Sequence, residues 1–174
     1  MSMEWIPLGR LNRTHGLKGE LKFAPLDDDG QVLESLDRVM LGDAQEELKE
    51  FRVESLRGVP GSRIIKFSGL DSVEEAKALT GETLYRHRDD FDRLPAGEYY
   101  RFEIEGLKAY DDDGKYYGRV VEIIATGSND VYVVQDEDRE LLLPMVDSVV
   151  HRIDLEQGKL TFHVVEGLIE DASV

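Results

Sequence analysis

Short runs of alternating apolar and polar residues, rich in β-branched and aromatic side chains, recur along the chain and are separated by clusters of Gly and Asp. Alternation with a period of two is the pattern of a β-strand with one buried face. Residues 131–134 and 140–143 flank an acidic turn around Glu137, and residues 149–153 and 159–164 flank another turn. Both pairs are predicted to be antiparallel hairpins. We therefore expect an all-β fold class, mainly β with one or two short helices.

One helix is predicted just after residue 70. Asp71 can cap its N-terminus, Glu74 stands three residues later to complete a capping box, and Gly81 can end it. Val73 and Ala76 supply part of a modest apolar face. The pattern predicts a short helix packed on a sheet.

Two clusters of the form Asp-Asp-Asp-Gly occupy residues 27–30 and 111–114. An EF-hand calcium loop needs an acid five residues before its Gly and a Glu six residues after it, and neither cluster supplies them. Both clusters are therefore predicted to be hairpin turns, because Asp and Gly tolerate the left-handed backbone that such turns require.

Residues 86–97 are polar and charged and contain proline and glycine, which makes them the best linker in the chain. Many short strands are predicted on either side of this stretch. We expect two small β-barrels joined by a linker, because such strands bury their apolar faces by closing into barrels or sandwiches. The predicted boundaries are a first domain over residues 1–88, a linker over 89–97 and a second domain over 98–174.

The chain contains no cysteine, which excludes a disulfide framework and thiolate chemistry and fits a reducing compartment. The opening residues, Met1 to Trp5, lack the positive and apolar regions of a signal peptide. No stretch approaches the roughly 20 apolar residues that a membrane-spanning helix needs. We expect a cytoplasmic protein with no membrane partner.

Charge is spread unevenly along the chain, whose formal net charge is −16. Residues 1–95 carry 14 Lys and Arg against 19 Asp and Glu, a net −5, and residues 96–174 carry 7 against 18, a net −11. Residues 8–23 contain four cationic side chains and one acidic side chain, which gives this segment a local net charge of +3. Phosphate contacts dominate nucleic-acid affinity, so this patch is where an acidic chain could hold RNA, whereas the acidic half would attract a basic protein. Acidity that serves only solubility is the alternative.

The sequence lacks the common catalytic and metal-binding motifs. His15, His87, His151 and His163 are scattered, with none at a metal-ligand spacing. A nucleophile elbow, a Walker A loop and a dinucleotide-binding glycine motif are also missing. We therefore predict no catalytic residue, no metal, no cofactor and no small-molecule substrate, although acids assembled in space remain an alternative.

The segment from Arg10 to Glu20 is the first candidate functional site. Two glycines bracket Leu17 and Lys18 between predicted strands. A Gly-x-x-Gly loop lets the backbone approach phosphates, as in KH domains, although there it joins two helices. The alternative is a tight turn that needs positive φ at glycine. The candidate RNA-binding residues are Arg10, Arg13, His15, Gly16, Lys18 and Gly19.

Two adjacent tyrosines, Tyr99 and Tyr100, follow the predicted linker. In a strand, neighbouring side chains point to opposite faces, so if one tyrosine enters the core the other faces outward. An outward tyrosine is a candidate interface anchor, because Tyr is enriched among binding hot spots. Ordinary packing against the neighbouring barrel is the alternative.

Several fragments in chain order, spanning both predicted domains, resemble the RimM family of ribosome maturation factors. Any one of them is a weak match, but together they are specific. They include Leu8-Gly9-Arg10, His15-Gly16-Leu17-Lys18-Gly19-Glu20, Gly69-Leu70-Asp71, Gly97-Glu98-Tyr99-Tyr100, Asn129-Asp130-Val131 and Glu166-Gly167-Leu168.

The resemblance implies an N-terminal translation-factor-like β-barrel and a C-terminal PRC β-barrel without enzyme activity. It implies a role in assembling the head of the 30S subunit and in 16S rRNA processing. The implied partners are small-subunit ribosomal protein nineteen (the uS-nineteen family), which is basic, and the immature 30S subunit with its 16S rRNA. The basic loop segment then becomes a candidate rRNA contact.

The resemblance also implies a contact with the ribosomal protein at the tyrosine pair. The expected ribosomal-protein-binding residues are Tyr99, Tyr100, Arg101 and Phe102. The sequence departs from the family pattern at Arg101-Phe102, where an aromatic Trp or His usually follows the pair, and over residues 103–105, where Asp-Leu usually precedes the Gly.

An enzyme that uses the N-terminal barrel is the competing functional hypothesis. It could be an rRNA-processing nuclease or a flavin reductase, since reductase domains share a similar barrel, and fold alone does not decide between binding and catalysis. A third hypothesis, a PRC-type regulatory module for another complex, gives no reason for the loop over residues 15–20.

Overall fold

The structure is a computed structural model that describes residues 4–43 and 47–169. The chain divides into two compact units, residues 1–93 and 94–174. Each unit is built on one β-sheet, which confirms the predicted all-β fold class. None of the helices within the described ranges is long and apolar enough to cross a membrane.

Six strands of the first unit close into a barrel in the order β1-β2-β5-β4-β3-β6. They are β1 (Trp5–His15), β2 (Glu20–Pro25), β3 (Arg38–Gly42), β4 (Lys49–Val59), β5 (Ser62–Phe67) and β6 (Thr83–His87). All neighbouring strands are antiparallel. Closure gives every strand two partners, so the barrel has no free edge. Its fully buried side chains include Leu11, Leu21, Leu33, Val39, Ile65, Phe67, Ala76 and Leu84.

Three short helices lie in the described chain, against the one or two predicted: α1 (Gly30–Glu34), α2 (Val73–Lys77) and α3 (Arg101–Ile104). A 3-10 turn at Arg88–Asp90 follows β6. Asp29 caps α1, because its Oδ1 accepts a hydrogen bond from the backbone N of Gln31 at 2.9 Å. The prediction of a hairpin turn at residues 27–30 is therefore wrong, since its last Asp begins a helix instead.

The capping box of α2 lies one residue later than the sequence predicted. Ser72, not Asp71, is the N-cap: its Oγ accepts from the backbone N of Glu75 at 3.2 Å, and the Glu75 carboxylate accepts from the backbone N of Ser72 at 3.2 Å. Asp71 instead pairs with Lys66, with 2.8 Å between Oδ1 and Nζ. Both Asp71 and Ser72 have a Glu three residues later, so each satisfies the local capping rule. Lys66 is largely buried and needs a carboxylate partner. Because Asp71 provides that carboxylate, Ser72 is the residue that caps the helix.

Six strands of the second unit form one sheet in the order β10-β9-β8-β7-β12-β11. They are β7 (Lys108–Asp111), β8 (Tyr116–Ala125), β9 (Asp130–Asp136), β10 (Arg139–Pro144), β11 (Val150–Asp154) and β12 (Lys159–Phe162). The hairpins β9–β10 and β11–β12 confirm the two that were predicted. The buried core includes Ile104, Ala109, Val134, Leu143, Leu160 and Phe162.

The last strand, β12, lies between β7 and β11 and pairs in parallel with β7. The predicted hairpin turn at residues 111–114 is confirmed and joins β7 to β8. Asp111 organises that turn, because its Oδ1 accepts from the backbone N of Asp113 at 3.0 Å and of Lys115 at 2.9 Å. Its Oδ2 accepts from the hydroxyl of Tyr117 at 3.0 Å. A buried carboxylate thus fixes one end of the second sheet.

Candidate nucleic-acid and protein interfaces

The glycine-bracketed loop joins β1 to β2, and both of its glycines have a left-handed backbone. The φ angle is 65° at Gly16 and 82° at Gly19, as the tight-turn interpretation required. A Cβ on Gly19 would lie 2.0 Å from the backbone oxygen of Leu70, whereas a Cβ on Gly16 would meet nothing closer than 4.0 Å. The loop is therefore pressed against the chain at its second glycine and is open at its first.

The candidate cations of this segment have different local roles. Arg13 and Lys18 are exposed. Arg13 lies where the β1–β2 register shifts between Leu11 and Thr14, and a bulge of this kind redirects side chains out of the strand pattern. Arg10 donates from Nε to the backbone oxygen of Gly81 at 2.8 Å, so it also tethers β1 to the chain after α2. We therefore assign Arg13 and Lys18 as the principal candidate contacts.

An acid within the segment is neutralised by a cation from another strand. Arg57 of β4 places Nη2 at 2.9 and 3.0 Å from the two carboxylate oxygens of Glu20. With Glu20 paired in this way, its charge is balanced by a cation from outside residues 8–23. We name the cations Arg10, Arg13, Lys18 and Lys22 the basic loop face. Its positive potential is suited to a phosphate backbone.

Leu17 stands at the tip of the loop between the two glycines, and its side chain is 83% exposed. Leu17 is not among the RNA-binding residues predicted from the sequence. An apolar side chain between two turn glycines is poorly placed to reach a core. This position in the sequence could therefore have predicted that Leu17 is exposed. Leu17 gives the basic loop face an apolar contact beside its cations.

The tyrosine pair precedes α3 and does not lie in a strand, so the alternation of side chains that a strand would impose does not apply to it. Tyr99 packs against the core of the second unit. Nearby Tyr132 is buried, and burial raises the pKa of Tyr132 to about 12, with smaller contributions from the charges of Asp130 and Tyr99. Tyr99 is thus chiefly a packing residue.

Tyr100, the N-cap of α3, and Phe102 within α3 form a second aromatic feature. Their rings are stacked, with centroids 5.3 Å apart and planes 8° from parallel, and both side chains are half-buried. The backbone N of Tyr100 donates to the Glu103 carboxylate at 2.9 Å. Arg101 donates from Nη2 to the backbone oxygen of Ile123 at 2.6 Å, which anchors the helix to β8. Of the four predicted residues, Tyr99 packs against the core, Arg101 anchors the helix, and Tyr100 and Phe102 form the stacked aromatic pair.

The face of β8–β10 opposite the core carries a patch of apolar side chains, which we name the outer apolar patch. Val121, Ile124 and Leu142 are 51%, 41% and 49% exposed. Val133 is buried but lies outside the core cluster, and in register it pairs with Leu142. None of these residues is among the binding residues predicted from the sequence. The sequence does contain a signal for the patch, because residues 120–124 and 141–143 include adjacent apolar residues. A strand with only one buried face would instead alternate apolar and polar residues.

Two of the four histidines, scattered in the sequence, are neighbours in space. The rings of His151 and His163 are stacked with centroids 4.1 Å apart, and both side chains contact Asp112. His15 and His87 lie in the first unit. This grouping is the one among the described residues whose ligand atoms are suitably placed for a metal ion.

Comparisons with known proteins give matches in both units. Residues 6–91 match the model of the RimM N-terminal domain, and residues 101–168 match that of the RimM PRC barrel domain. A protein of Ruminiclostridium cellulolyticum named ribosome maturation factor RimM is 37% identical over 169 residues, covering 97% of this chain and 99% of its own. Its namesake from Thermosipho africanus is 40% identical over 162 residues, covering 91% and 90%. A crystal structure of a 16S ribosomal RNA processing protein RimM from Pseudomonas aeruginosa is 29% identical, covers 92% of this chain and 98% of that one, and gives a TM-score of 0.47.

Proposed function

The chain belongs to the RimM family of ribosome maturation factors, and from this membership we propose that it assists assembly of the 30S head and 16S rRNA processing by binding, without catalysis. Two surfaces are proposed to act together in the cytoplasm. The second unit binds small-subunit ribosomal protein nineteen, and the basic loop face of the first unit contacts 16S rRNA in the immature 30S subunit.

The protein-binding surface is proposed to centre on the stacked rings of Tyr100 and Phe102, the single observation that carries this assignment. Arg101 fixes α3 to the Ile123 carbonyl of β8, the strand that also carries Val121 and Ile124 of the outer apolar patch. Interface cores are enriched in aromatic residues, and apolar patches on a surface commonly mark binding sites.

The charge of the second half supports a basic partner. Residues 96–174 carry a net −11, and the hairpin β9–β10 presents exposed Glu137, Asp138 and Glu140 next to Leu142 of the outer apolar patch. An acidic surface around an apolar centre favours a basic protein, because charge complementarity speeds association and excludes acidic competitors. Small-subunit ribosomal protein nineteen has that chemistry.

The rRNA contact is proposed to use Arg13, Lys18 and the tip residue Leu17. Both cations are exposed, and the pairing of Glu20 with Arg57 removes the nearest opposing charge in the segment. Pinning of Gly19 against Leu70 limits the loop to a small set of conformations, which lowers the entropy lost on binding.

Calorimetric titration of the full chain with purified small-subunit ribosomal protein nineteen tests the protein contact. We expect saturable binding of one partner per chain at near-physiological salt. A second basic small-subunit ribosomal protein of similar charge is the control, because attraction by net charge alone would treat the two alike. Equal binding of both proteins, or binding of neither, contradicts the proposed contact.

A further inference from the structure

Three potential metal ligands from distant parts of the sequence meet at one end of the second sheet. Asp112 follows β7, His163 follows β12, and His151 lies in β11. Since β12 lies between the other two strands, its last residue, Phe162, pairs with a residue on each of them. The fold therefore places the three side chains next to one another on adjacent strands.

A bulge in β11 contributes to this arrangement. The register pairs Val150 with Phe162 and then Arg152 with Thr161, so His151 is the extra residue without a partner of its own in the ladder. Bulges redirect side chains and are frequent next to functional sites. Asp112, for its part, stands in the turn that Asp111 organises through backbone hydrogen bonds.

The distances are close to those of a metal site. His151 Nε2 lies 3.3 Å from Asp112 Oδ1, His163 Nδ1 contacts Asp112 Oδ2, and the ligand atoms of all three side chains lie within 4.8 Å of one another. Tetrahedral zinc with bonds of about 2.0–2.1 Å places its ligand atoms roughly 3.3 Å apart. The side chains of Asp112, His151 and His163 are 45%, 33% and 48% exposed, so an ion can reach all three from solvent.

We propose that Asp112, His151 and His163 form a binding site for one divalent transition metal ion, with zinc as the best match. Two imidazole nitrogens and one carboxylate oxygen are a ligand set for zinc with a fourth position open to water, whereas calcium and magnesium prefer oxygen ligands alone. A bound ion links the ends of three neighbouring strands and stabilises the second unit. Direct hydrogen bonding of the histidines to Asp112, without any ion, is the alternative arrangement.

The test is calorimetric titration of the full chain with zinc chloride after removal of any affinity tag. We expect one zinc ion per chain, a rise in melting temperature with zinc, and no response to calcium at the same concentration. Cobalt(II) gives an independent readout on the unchanged sequence, because tetrahedral coordination produces intense visible absorption. Each of the variants His151→Gln and His163→Gln should weaken zinc binding about tenfold or more.

His87→Gln is the matched control. His87 also lies beside carboxylates, with Nε2 3.2 Å from Glu4 Oε1 and Nδ1 3.7 Å from Asp89 Oδ2. We expect this variant to bind zinc as the unchanged chain does. Absence of zinc binding by the unchanged chain, or full binding by the double variant His151→Gln with His163→Gln, overturns the proposal in favour of plain hydrogen bonding.

Discussion

The carbonyl oxygen of Leu70 lies 2.0 Å from the point that a Cβ on Gly19 would occupy. The backbone of the basic loop is therefore packed directly against the chain just before α2. A side chain of any size at position 19 must move one of these two segments.

Gly19→Ala should destabilise the first unit more than Gly16→Ala. Both positions have positive φ, which costs an alanine about 1–2 kcal/mol, but only Gly19 adds a clash with Leu70. Denaturant unfolding followed by fluorescence of the single tryptophan, Trp5 in β1, reports on this unit. Equal unfolding free energies for the two variants would show that the loop separates from Leu70 without cost.

Replacing Arg13 and Lys18 together by Ala should weaken binding to immature 30S subunits. Removal of each ion pair with an RNA phosphate should flatten the slope of log affinity against log salt by up to about 0.9. Stability should change by less than about 0.5 kcal/mol, because both side chains are exposed. The measurement is binding to immature subunits over a series of salt concentrations.

The control for that experiment is Arg38→Ala with Arg52→Ala. These two exposed arginines face each other across β3 and β4, so the pair removes the same charge elsewhere on the barrel. The control should leave the salt slope unchanged. Equal effects of the two double variants would mean that net charge, and not the basic loop face, governs RNA binding.

The double variant Tyr100→Ala with Phe102→Ala should lose affinity for small-subunit ribosomal protein nineteen while its second unit stays folded. Truncation of hot-spot aromatics costs about 2 kcal/mol or more, roughly thirtyfold in affinity. Tyr99→Ala should instead lower stability, because Tyr99 packs against the core. Calorimetric binding and thermal melting separate the two effects. Loss of cooperative melting in the double variant, with Tyr99→Ala unaffected, would reverse these assignments.

The first unit should lose stability in acid through Asp28. Hydrogen bonds from Arg63, at 2.8 Å from Nε and 2.6 Å from Nη2, hold the pKa of Asp28 below its ordinary value of 3.8, with burial opposing. Because the folded-state pKa is depressed, this stabilisation is complete above pH 3.8 and disappears as pH falls through the lowered value. Asp28→Asn should cost about 1–3 kcal/mol at pH 7 and flatten the acid limb of the stability profile.

Denaturant unfolding monitored through Trp5 between neutral pH and pH 2 checks this dependence. Asp37→Asn is the matched control, because Asp37 is exposed and lies 4.0 Å from Arg38, a pair expected to contribute little. If Asp28→Asn and Asp37→Asn give the same dependence of unfolding free energy on pH, the loss of stability in acid does not come from Asp28.

Features set by local pattern were predictable from the sequence. Period-two alternation located the hairpins of the second unit, and the glycines of the basic loop have the positive φ that a tight turn requires. The start of α2 was misplaced by one residue, because Asp71 and Ser72 both satisfy the local capping rule and only the tertiary pairing with Lys66 separates them. The alternation considered for the tyrosine pair holds only in a strand, whereas the Glu103 side chain accepts the backbone N–H of Tyr100 at the start of a helix.

Features set by pairing between distant strands were not predictable. Nothing near Asp112 in the sequence points to His163, because their proximity depends on the parallel ladder of β7 and β12. The pairing of Glu20 with Arg57 likewise joins β2 to β4 across β5, which lies between them in the barrel and pairs with both.

The position of β12 in the middle of its sheet also governs when the second unit can complete its fold during synthesis. The parallel pairing of Lys108 with Lys159 spans about 50 residues. Because β12 is the last of the six strands to be synthesised, β7 lacks this partner until β12 has been made. Until then the edges of β7 and β11 that β12 will cover are open to other strands. For this chain, the time between synthesis of β7 and of β12 is therefore an interval of exposure to misassembly.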